Sequence, residues 1–392
     1  MTALAKLVLA SSLLGAGLAH ADASHPFTYP GSDTKVTLGG YTKLDALWSD
    51  RSAGVDSVGD QLFNPGLIPV GPGAGEHKRD QVTLQARQSR LWLGTSTPTS
   101  RGELRTYLEA DFFGADGNES SSNSNGLRVR HAYGVLGYLL AGQTWTNFFD
   151  ERAYPETLDF GGPAGQIFVR QAQLRWTERF AAGEWSVSAE NPESVLAVPG
   201  SAAPFRSDND HAPDLTARLT YRLGEARYSL GLLAREIAVD SVAAPAATGK
   251  AWGGALALAG VVPARGQDDV RFDFNLGNAI GRYQELGFLP DGYVGADGRL
   301  RLARQASGYV AFRHFWAPRL RSSLEFSAVS SSPPEGTAGG VNLSDRSQHL
   351  NLIWSPVDAV NLGAELIHGE RTVVGGERGS LNRLQLSAQY SF

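Results

Sequence analysis

The last nine residues of the chain, Leu384-Gln-Leu-Ser-Ala-Gln-Tyr-Ser-Phe392, alternate strictly between apolar and polar side chains. Successive side chains of a β-strand point to opposite faces, so this stretch predicts a strand with one apolar and one polar face. A second sheet could bury the apolar face in a soluble sandwich. However, the alternation recurs along the chain behind a secretion signal, and the chain ends on the aromatic Phe392. Together these features favour an all-β transmembrane barrel with its apolar face toward lipid and its polar face toward a water-filled pore.

The N-terminal residues have the features of a cleaved secretion signal. Lys6 supplies a positive charge, residues 7–18 form an apolar run, and Ala19-His20-Ala21 is a small-residue cleavage site. An anchoring helix is the alternative, but it needs about 20 apolar residues and this run is shorter. We therefore expect residues 1–21 to be a signal peptide and residues 22–392 to form one outer-membrane barrel domain.

Composition excludes several kinds of site. The chain has no cysteine, which excludes disulfides, thiolate metal sites and thiol catalysis. Its formal net charge of -5 argues against a nucleic-acid partner. Polar residues interrupt every later apolar run before it reaches the roughly 18 residues of a membrane-spanning helix, but a closed barrel needs no such helix. We expect no cofactor and no bound metal.

Sixteen stretches carry the two-residue alternation, and an even number of strands returns both termini to the periplasm. They are residues 35–48, 81–95, 103–113, 127–136, 138–145, 167–177, 184–191, 214–223, 226–236, 250–261, 268–278, 303–315, 320–329, 346–355, 358–369 and 382–392. In the second stretch the apolar phase slips between Ala86 and Leu91, which predicts a bulge near Gln88. Short connections alternate with long ones, as periplasmic turns alternate with extracellular loops. The pattern predicts a 16-stranded antiparallel transmembrane barrel.

One long connection, residues 146–166, differs from the other loops. It contains five aromatic or leucine residues and four acids, whereas the other long loops are rich in glycine, serine and proline. A loop with so many apolar groups needs a surface to pack against, and the inner wall of the barrel is available. We expect this loop to fold into the pore and to place four carboxylates opposite the wall: Asp150, Glu151, Glu156 and Asp159.

Arginine makes up 30 of the 35 basic residues, so its positions matter. An arginine that faces lipid at mid-membrane costs about 2 to 4 kcal/mol, so an arginine inside a strand indicates the pore side. In the second to eighth strands, seven arginines take the inward phase and an eighth, Arg170, lies near the rim. The eight are Arg87, Arg90, Arg105, Arg128, Arg130, Arg170, Arg175 and Arg218. Inward acids are fewer there, chiefly Glu109 and Asp111. The pattern predicts a positive wall, although these arginines could instead pair with the loop acids and hold the constriction in place.

Six stretches resemble the DcaP-like outer-membrane porins. They are Arg90-Leu-Trp-Leu-Gly-Thr-Ser-Thr-Pro98, Gly102-Glu-Leu-Arg-Thr-Tyr-Leu-Glu-Ala-Asp-Phe-Phe-Gly114, Arg130-His-Ala-Tyr-Gly134, Ala141-Gly-Gln-Thr-Trp145, Pro155-Glu-Thr-Leu-Asp-Phe160 and Phe168-Val-Arg-Gln171. The resemblance implies trimers of 16-stranded barrels, a loop folded into each pore, and an arginine-lined constriction that favours small organic anions such as dicarboxylates and aromatic acids. Carried onto this sequence, the constriction arginines are Arg90, Arg105, Arg128, Arg130, Arg170 and Arg175. Some relatives have a helical periplasmic extension before the barrel, and only residues 22–34 occupy that position here.

Two other functions remain as alternatives. A barrel enzyme is disfavoured because no G-x-S-x-G or H-E-x-x-H motif occurs and the eight histidines are scattered. The other is a general or sugar-selective porin with no strong anion preference. A sugar-selective pore needs aromatic tracks, and the inward-facing Tyr41, Tyr107 and Tyr309 are few and far apart. The expected partners are small anionic solutes, outer-membrane lipid and lipopolysaccharide, further copies of the chain in a homotrimer, and the barrel assembly machinery, which would recognise Phe392.

Overall fold

The computed structural model describes residues 27–392 except 52–60, 73–78, 115–120, 124, 208–209 and 241–246. The predicted signal peptide, residues 1–21, lies outside the described residues. Within the described part of the chain, sixteen antiparallel strands form the wall of one closed barrel. In that same part, no helix is long and apolar enough to cross a bilayer.

The wall strands are named in chain order. They are β1 (Lys35–Ser49), β2 (Gln81–Gln85 and Arg90–Thr99), β3 (Gly102–Asp111), β4 (Arg128–Leu136), β5 (Leu139–Trp145), β6 (Arg170–Phe180), β7 (Gly183–Glu190), β8 (Asp214–Leu223), β9 (Ala226–Val239), β10 (Gly249–Pro263), β11 (Asp269–Gly277), β12 (Arg304–Ala317), β13 (Leu320–Ser332), β14 (Asn342–Trp354), β15 (Val360–Val373) and β16 (Arg378–Ser391). Four 3-10 turns lie in the loops, at Pro65–Leu67, Glu151–Ala153, Gly281–Tyr283 and Glu285–Gly287.

The C-terminal strand closes the barrel. β16 pairs antiparallel with β1, from Tyr41 opposite Ser391 to Ser49 opposite Arg383. Beyond this ladder, the amide of Phe392 donates to the carbonyl of Gly40 at 3.0 Å, and the amide of Gly40 donates to the carbonyl of Phe392 at 3.1 Å. The prediction of an all-β, 16-stranded antiparallel barrel is confirmed.

The two faces of the wall follow the predicted alternation. Leu219, Phe274 and Tyr390 lie on the outer face with 45%, 53% and 53% of their surface exposed, whereas Asp45 and Glu325 on the inner face are fully buried. Because an outward apolar row requires an apolar surrounding, the outer face is suited to contact the hydrocarbon of a bilayer.

The second strand has the irregularity that its sequence predicts. Its two segments both pair with β1, with Gln85 opposite Asp45 and Arg90 opposite Tyr41. Four residues lie between Gln85 and Arg90, whereas three lie between their partners Asp45 and Tyr41 on β1. The additional residue in β2 forms a bulge. Several predicted boundaries are wrong by three or four residues. β6 begins at Arg170 rather than at Ile167, and toward the extracellular side β14 begins at Asn342 rather than Arg346, β15 ends at Val373 rather than Gly369, and β16 begins at Arg378 rather than Asn382.

The extracellular mouth contains a small sheet that the sequence did not indicate. Ser194–Ala197 pairs antiparallel with Phe205–Ser207 and parallel with Gly292–Val294, which pairs in turn with Leu300–Arg301. The fully buried guanidinium of Arg235 joins this sheet to the wall. It lies 3.1 Å from Asp214 on β8 and 2.8 Å from Asp291, which immediately precedes Gly292–Val294.

Candidate pore constriction

The loop between β5 and β6 crosses the interior of the barrel, as predicted. The amide of Leu158 donates to Glu365 on β15 at 2.6 Å, and the amide of Ala164 donates to Ser327 on β13 at 3.1 Å. Lys43 on β1 donates to the carbonyl of Leu158 at 2.6 Å. The loop is therefore attached to the wall opposite its origin, and it narrows the pore.

A second inward segment, residues 278–303, supports the constriction loop. The amide of Phe168 donates to the carbonyl of Tyr283 at 2.8 Å, and the amide of Glu285 donates to the carbonyl of Gln166 at 2.9 Å. Phe148 and Ile280 pack in the same buried cluster. Sequence reasoning missed this segment, although it is as rich in aromatic and aliphatic residues as residues 146–166, which is the signal that could have found it.

Four of the predicted arginines come together on the inner face of β2–β6, which we call the first wall. Arg130 lies 2.7 Å from Glu109 and 3.1 Å from Asp111. Arg128 lies 2.7 Å from Asp111, and Arg90 lies 3.4 Å from Glu109. Three guanidinium groups thus share two carboxylates, so positive charge remains on this wall.

Arg170 is the fourth arginine of the first wall, and it is held by aromatic rings. Its guanidinium carbon lies 4.5 Å from the ring centre of Trp145 and 5.2 Å from that of Phe168. Its Nη1 atom has no hydrogen-bond partner among the residues that the structure describes. This atom is buried, so Arg170 adds an unmatched donor and a positive charge without a carboxylate partner beside the aromatic rings of the first wall.

The other predicted arginines have different surroundings. Arg175 donates to the carbonyl of Trp145 at 2.5 Å, and Arg218 donates to the carbonyl of Phe149, so both hold the start of the constriction loop. Arg87 donates to Asn125 at 2.6 Å on the extracellular side. Arg105 lies 3.8 Å from Glu103, toward the periplasmic end of β3. These four do not join the group formed by Arg90, Arg128, Arg130 and Arg170.

Most of the loop acids pair with arginines outside the predicted set. These arginines lie on β9–β16, which we call the second wall. Glu156 binds Arg321 through hydrogen bonds of 2.6 to 3.0 Å, and it lies 3.6 Å from Arg313. Asp150 pairs with Arg227, and Asp159 lies 3.8 Å from Arg383. Sequence reasoning omitted Arg227, Arg313, Arg321 and Arg383 because it considered arginines only in the second to eighth strands, although the same inward parity identifies them.

Glu151 is the exception among the loop acids. No ion pair involves it among the described residues, and the negative charge of Glu109 on the first wall acts on it. Burial, and secondarily the negative charge of Glu109, raises the pKa of the Glu151 carboxyl to about 7. The constriction therefore contains a group whose charge changes near neutral pH.

A cavity of about 700 Å³ lies beneath the constriction loop and extends to the periplasmic turns. Its described lining has seven basic side chains and five carboxylates. The basic residues are Lys43, Arg90, Arg130, Arg271, Arg313, Arg319 and Arg321, and the acids are Glu109, Glu151, Glu156, Asp159 and Asp358. The lining is net positive, more so when Glu151 is protonated. Neither in this lining nor in the rest of the described residues is a group of three or more His, Cys, Asp or Glu placed to hold a metal ion.

A closed 16-stranded barrel with a loop folded into its lumen and a charged constriction beside that loop defines an outer-membrane porin. Within this class, the chain belongs to the DcaP outer membrane protein family, whose sequence model matches residues 22–392. The family is described as an outer membrane protein family, and the similar solved structures include an outer membrane channel and a porin. A comparison with curated protein sequences found no match.

Solved structures share the fold. The crystal structure of the outer membrane channel DcaP of Acinetobacter baumannii is 24% identical, with a TM-score of 0.78 over 93% of this chain and 99% of that one. An anion-selective porin from Comamonas acidovorans is 13% identical, with a TM-score of 0.57 over 92% and 100%. The trimer form of OmpT from Vibrio cholerae is 10% identical, with a TM-score of 0.57 over 92% and 99%.

Proposed function

We propose that this porin allows passive, anion-preferring diffusion of small organic acids. The observation that carries the proposal is the imbalance on the first wall, where Arg90, Arg128, Arg130 and Arg170 face only Glu109 and Asp111. In a narrow pore with low-dielectric walls, such a field can raise the entry rate of anions by about ten-fold to a thousand-fold. No energy source and no chemical step is needed, so we also propose that the protein is not an enzyme.

The aromatic residues beside these arginines favour carboxylates that carry a ring. The presence of several guanidinium groups favours solutes with a second carboxylate. Phe160 lies under two guanidinium groups, 5.1 Å from that of Arg128 and 5.5 Å from that of Arg130. Arg170 lies over Trp145 and Phe168. An aromatic acid could stack on these rings while its carboxylate accepts from a guanidinium fork. Dicarboxylates and aromatic carboxylates are therefore the proposed solutes.

Reversal potential tests the ion preference most simply. Purified protein in a planar bilayer with a potassium chloride gradient should give a potential of the sign that chloride permeation produces. Liposome swelling should then be faster with a benzoate salt than with a neutral sugar of similar size. A cation-selective potential would contradict the proposal.

Arg170 allows a test of the solute class. Replacing Arg170 by Lys keeps the charge but loses the planar contact with Trp145 and Phe168. This variant should keep the chloride preference and lose much of the block of ion current by an added aromatic carboxylate. Equal block in the wild type and the variant would remove Arg170 from the solute path.

A sugar-selective or general pore is the second candidate, because tyrosines follow one another along the first wall. Tyr107 lies 5.8 Å from Tyr133 and 6.0 Å from Trp92, measured between ring centres. Tyr309 does not extend this track, since it is buried on β12 away from the cavity. Faster liposome swelling with disaccharides than with carboxylates would favour this second candidate.

We further propose a cleaved signal of residues 1–21 and a mature chain that begins at Asp22 and assembles as a homotrimer in contact with outer-membrane lipid and lipopolysaccharide. The trimer form of OmpT supports the oligomeric state by analogy of fold. The two hydrogen bonds between Phe392 and Gly40 support a role of Phe392 in closing the barrel during assembly. Deletion of Phe392 should reduce the folded fraction on a heat-modifiability gel, and a normal folded fraction would contradict that role.

A further inference from the structure

The outer surface of β14–β16 changes character toward the extracellular side. Near mid-barrel, the outward residues of these strands are leucines, among them Leu350, Leu366 and Leu386, each about half exposed. Two residues beyond Leu350 and Leu366, the outward row consists of Gln348, His368 and Asn382 in register.

The next outward row contains charges. Arg346 is opposite Glu370, and Glu370 is opposite Ser380. One row further, Arg378 is opposite Thr372. The apolar band is therefore short on this side of the barrel, and cationic groups lie where the lipid headgroups begin.

These strand ends border a cleft of about 480 Å³. Arg51, at the end of β1, lies beside Arg346 and Arg378 in its lining. No ion pair involves any of these three arginines among the described residues. Glu370 is the one exposed acid of the lining, and its carboxylate lies 3.6 Å from the Nε2 atom of His368.

The fourth arginine of the cleft is already occupied. Arg371 donates to Asn342 and to the carbonyl of Ile68, both at 2.8 Å, and so serves the fold. The remaining three guanidinium groups have the planar donor geometry that matches a phosphate oxygen pair. The outward leucines begin two rows below Arg346, beyond Gln348, His368 and Asn382 on the same outer face. A ligand with a phosphate group and acyl chains would therefore contact both parts.

We propose that this cleft binds the phosphorylated headgroup of an outer-leaflet glycolipid, with the acyl chains along the outward leucines of β14–β16. Arg51, Arg346 and Arg378 contact the phosphate. The site is on the outside of the barrel, separate from the pore, so its loss leaves the ion preference unchanged.

The experiment measures binding of diphosphoryl lipid A to the folded protein in detergent by native mass spectrometry. The double variant R346Q/R378Q should weaken binding by about ten-fold or more, since two charge-assisted contacts are lost. The matched control R101Q/R265Q removes the same charge from exposed arginines in the periplasmic turns and should bind lipid A as the wild type does. A heat-modifiability gel checks that both variants are folded.

Four results would overturn the proposal. Equal affinity in the wild type and R346Q/R378Q would exclude the cleft, and equal loss in both double variants would mean that only net charge matters. Dissociation of an oligomer by R346Q/R378Q with unchanged lipid binding would assign the arginines to a contact between protomers. Full displacement of lipid A by millimolar inorganic phosphate would remove the lipid as the occupant. The reversal potential of R346Q/R378Q should equal that of the wild type, which separates this proposal from the proposed pore function.

Discussion

The two walls of the pore carry similar numbers of arginines but balance them differently. On the first wall, Arg90, Arg128, Arg130 and Arg170 have two carboxylates, Glu109 and Asp111. On the second wall, Arg227, Arg271, Arg313, Arg321 and Arg383 have four, Asp150, Glu156, Asp159 and Asp269. The number of inward arginines therefore does not predict the ion preference, because only arginines without a matched carboxylate leave positive charge for a solute. The first wall is suited to attract anions, and the second wall is suited to hold the constriction loop.

The largest effect is expected on the first wall. The variant R128Q/R130Q leaves Arg90 and Arg170 against Glu109 and Asp111, so this wall changes from an excess of two positive charges to a balance of charge. The ratio of chloride to potassium permeability should fall by about ten-fold or more. Reversal potential in a salt gradient measures it. R87Q is the control, because Arg87 is an inward arginine that donates to Asn125 and does not belong to the group around Glu109 and Asp111. An unchanged ratio in R128Q/R130Q would remove these residues from the filter.

A smaller and different effect is expected on the second wall. The charge-neutral variant E156Q/R321Q removes the pair that attaches the loop to β13. Because the net charge of the cavity is unchanged, the permeability ratio should remain close to that of the wild type. The loop loses an anchor, so single-channel current should fluctuate more. A large loss of anion preference without increased current fluctuation would mean that the second wall, and not the first, sets the ion preference.

The pH dependence is expected to be smaller still, because it involves one charge. The pKa of Glu151 is about 7, so its carboxyl is neutral below that pH and ionised above it. Anion preference should therefore decrease as the pH rises from about 6 to about 8. Reversal potentials across this range measure the change, and E151Q should show none.

Glu156 provides the control for the pH experiment. Burial opposes its ionisation, but Arg321 and Arg313 outweigh burial and hold the pKa of Glu156 below its usual value. Glu156 stays charged across the range, so E156Q should keep the pH dependence of the wild type. If E156Q loses the dependence and E151Q keeps it, the titrating group has been assigned to the wrong residue.

Sequence periodicity predicted the wall well, because the phase of a strand is a local property. The inward positions of Arg90, Arg128 and Arg130 follow from counting by two, and the bulge near Gln88 follows from a slip in that count. The pairing of loop acids could not be predicted in this way. Leu158 and Glu365 are 207 residues apart, and their contact depends on how a loop lies in three dimensions.

The supporting segment shows a second limit of the sequence. Residues 278–303 lack the alternation of a strand, and nothing local indicates that Tyr283 and Glu285 meet the constriction loop. Their role depends on the position of the loop they support. The composition of an interior loop can indicate that it folds inward, as it did for residues 146–166, but the contacts of the loop need a structure.

The most direct test of the unequal walls is the position of a bound anion. Crystals grown with 4-bromobenzoate allow the bromine to be located by anomalous scattering. We expect its carboxylate beside Arg170 and Arg128 of the first wall, with the ring near Phe160 or Trp145. A bromobenzoate bound only to Arg313 and Arg321 of the second wall, with the first wall empty, would contradict the account.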